Sequence, residues 1–339
     1  MSKRTRKWLW LGLRLAVAAA ALVWTFSQTE FGPLIESLQS VSLAAVGAGI
    51  GLSVVGLLVG AVRWRLLLSA YGAKDPPPIS FLFRVYFVGL FYNSFLPGNV
   101  GGDVLRGFVT RRSFQAKSGA FLIVFVERLY GLSGLLIVCA TGLILFPLEM
   151  EIPLSLIGIG ALSLAATAML VPFLGRRFGG VLPGRIGAQL SGLPKIDKPL
   201  PLLGVLALSV VSQSIVAIIG HLLIMGLDER VAFTQSVVIV PLAMAAIYFP
   251  FTVSGLGVRE AAFVSLFRSI GTSPEDATAA SVAMLAVQWI VALLGGLAHL
   301  LWPVVAEDEE SPAHESEASG AAANNPKSPD SIKAPTLPP

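Results

Sequence analysis

Charge is scarce in this sequence: 13% of its 339 residues are charged, against 55% that are hydrophobic. Water-soluble globular proteins carry roughly 25% charged residues. A chain with about half that complement cannot cover a water-facing surface of ordinary composition. A soluble enzyme, a nucleic-acid-binding domain and a secreted module are therefore excluded, and a polytopic membrane protein remains. Cysteine is almost absent. Cys139 alone supports neither an internal disulfide nor a thiolate metal cluster, and its apolar surroundings make it a small core residue. Histidine is nearly as rare; His221 and His299 fall near the ends of apolar stretches and read as satisfied polar contacts. There is no HExxH, GxSxG or Walker A segment, no Cys/His cluster with metal spacing and no DxD-like acidic pair. The expectation is a protein without catalytic residues, metal or cofactor, whose transport, if any, is driven by gradients or passive.

What the sequence does have is long apolar runs. A helix needs about 20 apolar residues to cross the hydrocarbon core. Six stretches meet that length: 8–27, 41–62, 118–146, 153–174, 199–225 and 278–302. The first follows Lys3, Arg4, Arg6 and Lys7, as a signal peptide would, but its length and the flanking Trp8, Trp10 and Trp24 mark a span. Two further apolar stretches, 79–96 and 234–250, each run into a Pro/Gly-rich segment and then a more polar helix-like stretch.

Basic residues set the orientation. Lys and Arg occur at 3, 4, 6 and 7, at 63, 65, 74, 84, 106, 111, 112 and 117, and at 176, 177, 185, 195 and 198. The alternate loops hold only Arg230, Arg259 and Arg268, a ratio of 17 to 3 that places both termini in the cytoplasm of a cell-membrane protein. The alternation holds only if the two odd stretches enter and leave on one side. They are therefore expected to be re-entrant hairpins, one per half and from opposite faces, as an inverted repeat produces. The expected fold is all-α: about six spans plus two re-entrant helical hairpins in a membrane domain over 1–306. Residues 307–339 carry seven acids and no apolar periodicity, so they read as a disordered acidic cytoplasmic tail.

A charge in a membrane segment costs at least about 2.5–3.5 kcal/mol, so it faces a cavity or a partner. In "FYNSFLPGNVGGDVLRGF", Pro97 cannot continue a helix, and Gly98, Gly101 and Gly102 allow tight turns. Asp103 then falls at or near the N-cap of the next helix, with Arg106 on the same face; a capped interfacial helix with snorkelling Arg106 explains them equally. Glu127 and Arg128 lie roughly ten residues into the third span. Adjacent helix positions diverge, so each must find its partner on another segment. "FPFTVSGLGVREAAF" repeats the hairpin logic with Pro250, Gly255, Gly257, Arg259 and Glu260. Arginine presents a planar fork suited to phosphate. Arg106, Arg128 and Arg259 would together make an anionic-headgroup site, which Asp103, Glu127 and Glu260 would neutralise when empty or use to meet a cationic headgroup. Arg14 near the start of the first span is accounted for by snorkelling.

"NSFLPGNVGGDVLR", "ERLYGLSGLL" and "PFTVSGLGVREAAFV", in this order, resemble the transmembrane domain of lysylphosphatidylglycerol synthases, a flippase-like family. The resemblance covers most of residues 8–302. It implies a polytopic helical domain that moves phospholipids between leaflets. It assigns substrate binding to Asn93, Pro97, Gly98, Gly101, Asp103 (where Glu is usual), Arg106, Glu127, Arg128, Pro250, Gly255, Gly257, Arg259 and Glu260. The full-length synthases carry a soluble aminoacyl-transferase domain after the membrane part; a short tail stands here instead. A stand-alone member is thus expected, a lipid translocase rather than an enzyme, with membrane lipids as partners and no nucleic acid. A homo-oligomer or an association with a lipid-modifying enzyme stays open. Two other classes remain: a transporter of a small soluble anion, and a non-transporting partner subunit for lipid-modifying enzymes.

Overall fold

The computed structural model describes residues 19–96, 100–114, 117–145, 199–245 and 257–304, with isolated positions at 16, 160, 163, 166, 177 and 196. Among the described residues every regular element is helical. They are α1 (Phe31–Ser40), α2 (Leu43–Ala70), α3 (Ile79–Phe95), α4 (Gly101–Thr110), α5 (Lys117–Leu145), α6 (Leu200–Ile224), α7 (Phe233–Met244), α8 (Val258–Arg268) and α9 (Pro274–Leu301). A 3-10 turn, Arg111–Ser113, follows α4.

Among the described residues, four helices are long and apolar enough to cross a membrane: Leu43–Ala70, Gly119–Leu145, Leu200–Ile224 and Pro274–Leu301. These are four of the six expected spans. Of the other two, 8–27 is described at 16 and 19–27, which are helical, and 153–174 lies largely outside the described residues, as does the tail. One boundary needs correcting. The expected span 41–62 continues to Ala70, so Arg63 and Arg65 are helical residues rather than loop charges. Nothing in "RWRLLLSA" breaks a helix, and Arg63 is stabilised by partners described below. The chain turns only at Gly72, with φ +69°, ahead of Pro76, Pro77 and Pro78.

Helix starts follow local chemistry. Ser42 accepts from Ala45 N (3.4 Å) to cap α2. Ser273 accepts from Asp276 N (3.0 Å) to cap α9, with Pro274 opening the helix and Glu275 and Asp276 in its first turn. Asp103, expected at or near the cap of α4, lies in its first turn, and its carboxylate is engaged by arginines. The capping acceptor is Asn93 Oδ1 on α3, which takes the Gly102 N–H at 2.7 Å.

The bundle is apolar outside and buries its charged residues among apolar ones. Leu58, Leu200, Leu293 and Leu300 are exposed, whereas Asp103, Arg106, Glu127, Gln213, Arg259 and Glu260 are buried. That distribution fits a lipid solvent. One apolar cluster gathers Trp64, Leu67, Leu68, Tyr71, Leu82 and Tyr130 beneath the charged residues. A second joins Ile239, Val240, Phe263, Val264 and Phe267 to the end of α6 and the start of α9.

Close helix approach depends on glycines. A Cβ on Gly102 would stand 2.3 Å from Gly89 O, and one on Gly295 would stand 2.2 Å from Phe87 O. These contacts pin α4 and α9 against α3. Gly134 meets the Ser209 backbone and does the same for α5 and α6. Gly102→Ala and Gly295→Ala should each lower thermal stability in detergent by the equivalent of about 1–3 kcal/mol, the usual cost of overpacking. Gly47 and Gly51 meet nothing within 4 Å, so alanine there should leave the melting temperature unchanged or raise it. Equal behaviour of the two sets in a melting assay would contradict the packing described.

Candidate functional site

A cavity of about 420 Å³ opens among α2, α3, α4, α5, α6 and α9, with Met244 at the end of α7 also in its wall. On α2 its lining runs Ser53, Gly56, Leu57, Gly60, Arg63, a single helical face. At 1.5 Å per residue this stripe is about 15 Å long. Gly56 and Gly60 leave room beside α2, and Tyr86 of α3 fills part of it; a Cβ on Gly60 would stand 2.8 Å from Tyr86 Cε1.

One end of the cavity holds a network of ions. Glu127 accepts from Arg63 Nη2 at 2.8 Å, and from the Tyr86 hydroxyl and Arg106 at short range. Arg106 also donates to Tyr86 Oη (2.6 Å) and pairs with Asp103 one helical turn earlier. Asp103 gives its second oxygen to Arg128, whose Nε donates at 2.5 Å. Arg63 reaches further, to Ser209 Oγ on α6 at 3.3 Å. Arg106 additionally stacks over Tyr86 (4.6 Å to the ring centroid) and near Trp64 (5.2 Å). Three arginines and two carboxylates from three helices, with Tyr86 from a fourth, thus meet in one network.

Burial falls toward the cavity. The Glu127 side chain is 2% exposed, Arg106 and Asp103 are each 10% exposed, and Arg128 is 32% exposed. Glu127 and Arg128, though adjacent, face different partners, as the helical repeat requires. The network lies seven residues before the end of α2 at Ala70 and seven after the start of α3 at Ile79. That is about 10 Å inside both helix ends, deep enough that the ions cannot simply snorkel to water.

The opposite end of the cavity is apolar. Ile215, Val216 and Ile219 of α6, Met284 and Val287 of α9, and Met244 line it. The separation follows from the antiparallel packing of α2 and α6. Arg63 meets Ser209 at one end, while Ile219 and Val287 lie 3.3–3.5 Å from where a Cβ on Gly49 would stand, at the other.

Of the residues singled out in the sequence, Asn93, Asp103, Arg106, Glu127 and Arg128 line this one cavity. Gly101 packs against Tyr92 and Leu96 at the start of α4. Pro97, Gly98, Pro250 and Gly255 lie outside the described residues. Arg259 and Glu260 pair with each other and are buried, but they are not among the cavity's lining residues. Glu260 also takes the Gly257 N–H (2.6 Å), fixing the start of α8 where Gly257 adopts φ +81°. His221 bonds Ser236 (3.1 Å) and His299 accepts from Val304 N (3.2 Å). Sequence reasoning missed Arg63, Tyr86 and Gln213. The apolar residues on both sides of Arg63, Ala61 and Val62 before it and Trp64 and Leu66–Leu68 after it, were the usable signal, since a buried Glu127 demands a cation from a neighbouring span.

Removing one member of a buried ion pair costs about 3–5 kcal/mol, because its partner is left uncompensated. Glu127→Ala should therefore lower thermal stability in detergent far more than Arg128→Gln, whose side chain is a third exposed. Equal losses on thermal unfolding would contradict this ordering.

The family model described as "Lysylphosphatidylglycerol synthase TM region" matches residues 11–296, a range that contains every residue lining the cavity. A curated relative, the UPF0104 membrane protein of Methanothermobacter thermautotrophicus, is 30% identical over 97 residues, or 29% of this chain. The match spans 27% of that relative's length. With its apolar spans, its buried ions and a family match over most of its length, the chain belongs to the lysylphosphatidylglycerol synthase transmembrane family.

Proposed function

We propose that this membrane protein is a lipid translocase, moving a phospholipid or modified lipid between leaflets through the polar cavity. The observation that carries the reading is the two-ended wall of that cavity. Three arginines stand at one end and an Ile/Val/Met surface at the other, about 15 Å apart along α2. An amphipathic substrate matches both ends. A small soluble anion would use the arginines and gain nothing from the apolar wall.

Physical cost argues the same way. A phosphate moved through hydrocarbon without partners faces a desolvation penalty of tens of kcal/mol by Born estimates. Arg128 at the cavity wall, backed by Arg106 and Arg63, replaces part of the lost water shell. The acyl chains meanwhile stay in apolar surroundings throughout. Under this reading α3 with α4, and α7 with α8, form the two re-entrant hairpins. Both termini are cytosolic in the cell membrane, in keeping with the bias of basic residues toward that side. Alternating access comes from one half of the bundle rocking against the other.

Reconstitution provides the test. The purified protein is placed in liposomes with a trace of fluorescent phospholipid, and leaflet exchange is followed by dithionite quenching. Wild type should take quenching beyond the half of the signal expected from the outer leaflet. Arg128→Ala should slow that exchange roughly 10–100-fold, the range for losing a charge-assisted hydrogen bond of about 1.5–3 kcal/mol. Quenching that stops at half for every headgroup, with correctly folded protein, would sink the translocase reading.

A further inference from the structure

A second cavity lies on the seam between α3 and α9. We infer that it is a phospholipid-binding site on the surface of the bundle, in which Arg84 holds the lipid phosphate and an acyl chain lies in the trough between the two helices. It shares no lining residue with the central cavity, so the inference does not depend on transport.

The shape comes from backbone approach and a missing side chain. Gly295 brings α9 against the Phe87 carbonyl. One turn further along α9, Ala298 leaves a space of about 320 Å³, which Arg84, Phe87 and Val88 of α3 and Trp302 enclose. The end of α9 is pinned there. Trp302 N donates to Ala298 O (2.9 Å) and Val304 N to His299 Nδ1 (3.2 Å), while Val304 packs on Val85 and Val88. The trough is therefore preformed, and its volume lies within the range of about 300–1,000 Å³ usual for ligand sites. Arg84 is exposed, and Trp302 is 64% exposed, so the trough opens outward. Leu294, one turn before Ala298 on the same helical face, is exposed as well and continues the apolar path.

The charge at its rim is what names the occupant. Arg84 stands five residues after the start of α3 at Ile79, about 7.5 Å in from the helix end. An arginine near a helix end can snorkel to water without binding anything. Here its Nη2 instead donates to Trp302 O at 2.9 Å, which holds the guanidinium beside the end of α9. That acceptor is a carbonyl the helix leaves without a donor of its own. Among the described residues this is the one hydrogen bond the Arg84 guanidinium makes. None of the residues lining the trough is acidic. A fixed, permanently charged fork with donors to spare, set at the mouth of an apolar trough, fits a phosphate that carries acyl chains. Trp302 adds an indole at the rim, the residue type that sits at headgroup level in membrane proteins. A free phosphate would use Arg84 alone, and a lipid without phosphate would use the trough alone.

Photolabelling of the full chain in detergent tests the site. The probes are phosphatidic acid and diacylglycerol with the same diazirine-bearing acyl chain, which differ only in the phosphate, and labelled positions are mapped by mass spectrometry. Labelling between Leu294 and Trp302 should favour phosphatidic acid over diacylglycerol roughly tenfold, the ratio that one charge-assisted hydrogen bond supplies. Leu58 and Leu203, exposed on α2 and α6, should show no such preference and serve as the reference for non-specific lipid contact. Arg84→Gln should abolish the preference at the end of α9. Ala298→Leu, which keeps Arg84 but fills the trough, should reduce labelling by both probes there. Neither change should alter labelling at Leu58 and Leu203, which shows that the bundle is intact. An equal preference at all three places would overturn the site by showing ordinary lipid contact. A preference that survives both substitutions would overturn it by placing recognition elsewhere. Loss of labelling on addition of inorganic phosphate would overturn the lipid assignment in favour of a free anion. Labelling is read without transport, so a failed translocation assay does not decide this result.

Discussion

The structure depends on one constraint: ions placed inside apolar helices must find partners of opposite charge on their neighbours. Glu127 cannot stay charged in a lipid-surrounded bundle without donors, and it takes three of them from α2, α3 and α4. Those bonds tie the short α3–α4 pair to the long α2 and α5. They also explain why α2 continues past its apolar stretch to carry Arg63 inward. A buried pair of this kind contributes little net stability compared with an apolar core of the same shape, yet breaking it is expensive. Its value lies in fixing where the short helices sit and in keeping a polar cavity open inside an otherwise apolar bundle.

Packing and chemistry converge at this point. Asn93 caps α4 and so aims its first turn, which places Asp103 and Arg106 on the face toward α5. Gly102 and Gly89 let α4 approach α3 at backbone distance, and Gly60 admits Tyr86 beside α2. The features that position the ions are thus caps and missing side chains, each cheap alone and each required. Exposure rises from the buried Glu127 to Arg128 at the cavity wall.

Much of this was legible in the sequence, for identifiable reasons. Low charge and runs of about 20 apolar residues fix a helical membrane protein, because hydrocarbon leaves the backbone few alternatives. Asp103, Arg106, Glu127 and Arg128 stood out because charge in such segments demands partners. The partners themselves were not legible. Arg63 lies beyond the point at which a hydropathy ruler ends the second span, and Tyr86 sits unremarked among apolar neighbours. Pairing across sequence separations such as Arg63 with Glu127 is set by three-dimensional packing, which local pattern does not encode. Arg259 illustrates the converse. Its motif parallels that of Arg106, yet its guanidinium pairs with the adjacent Glu260, whose other oxygen takes the Gly257 N–H, and it is not among the residues lining the cavity.

The central claim is that a lipid headgroup engages the arginine end of this cavity while its chains lie along the apolar end. An experimental structure of the protein in a phospholipid nanodisc tests it directly. The account predicts phosphate density within hydrogen-bonding distance of the Arg128 guanidinium, and acyl density against Ile215, Val216 and Val287. A cavity holding only water, with lipid confined to the outer surface of the bundle, would contradict it.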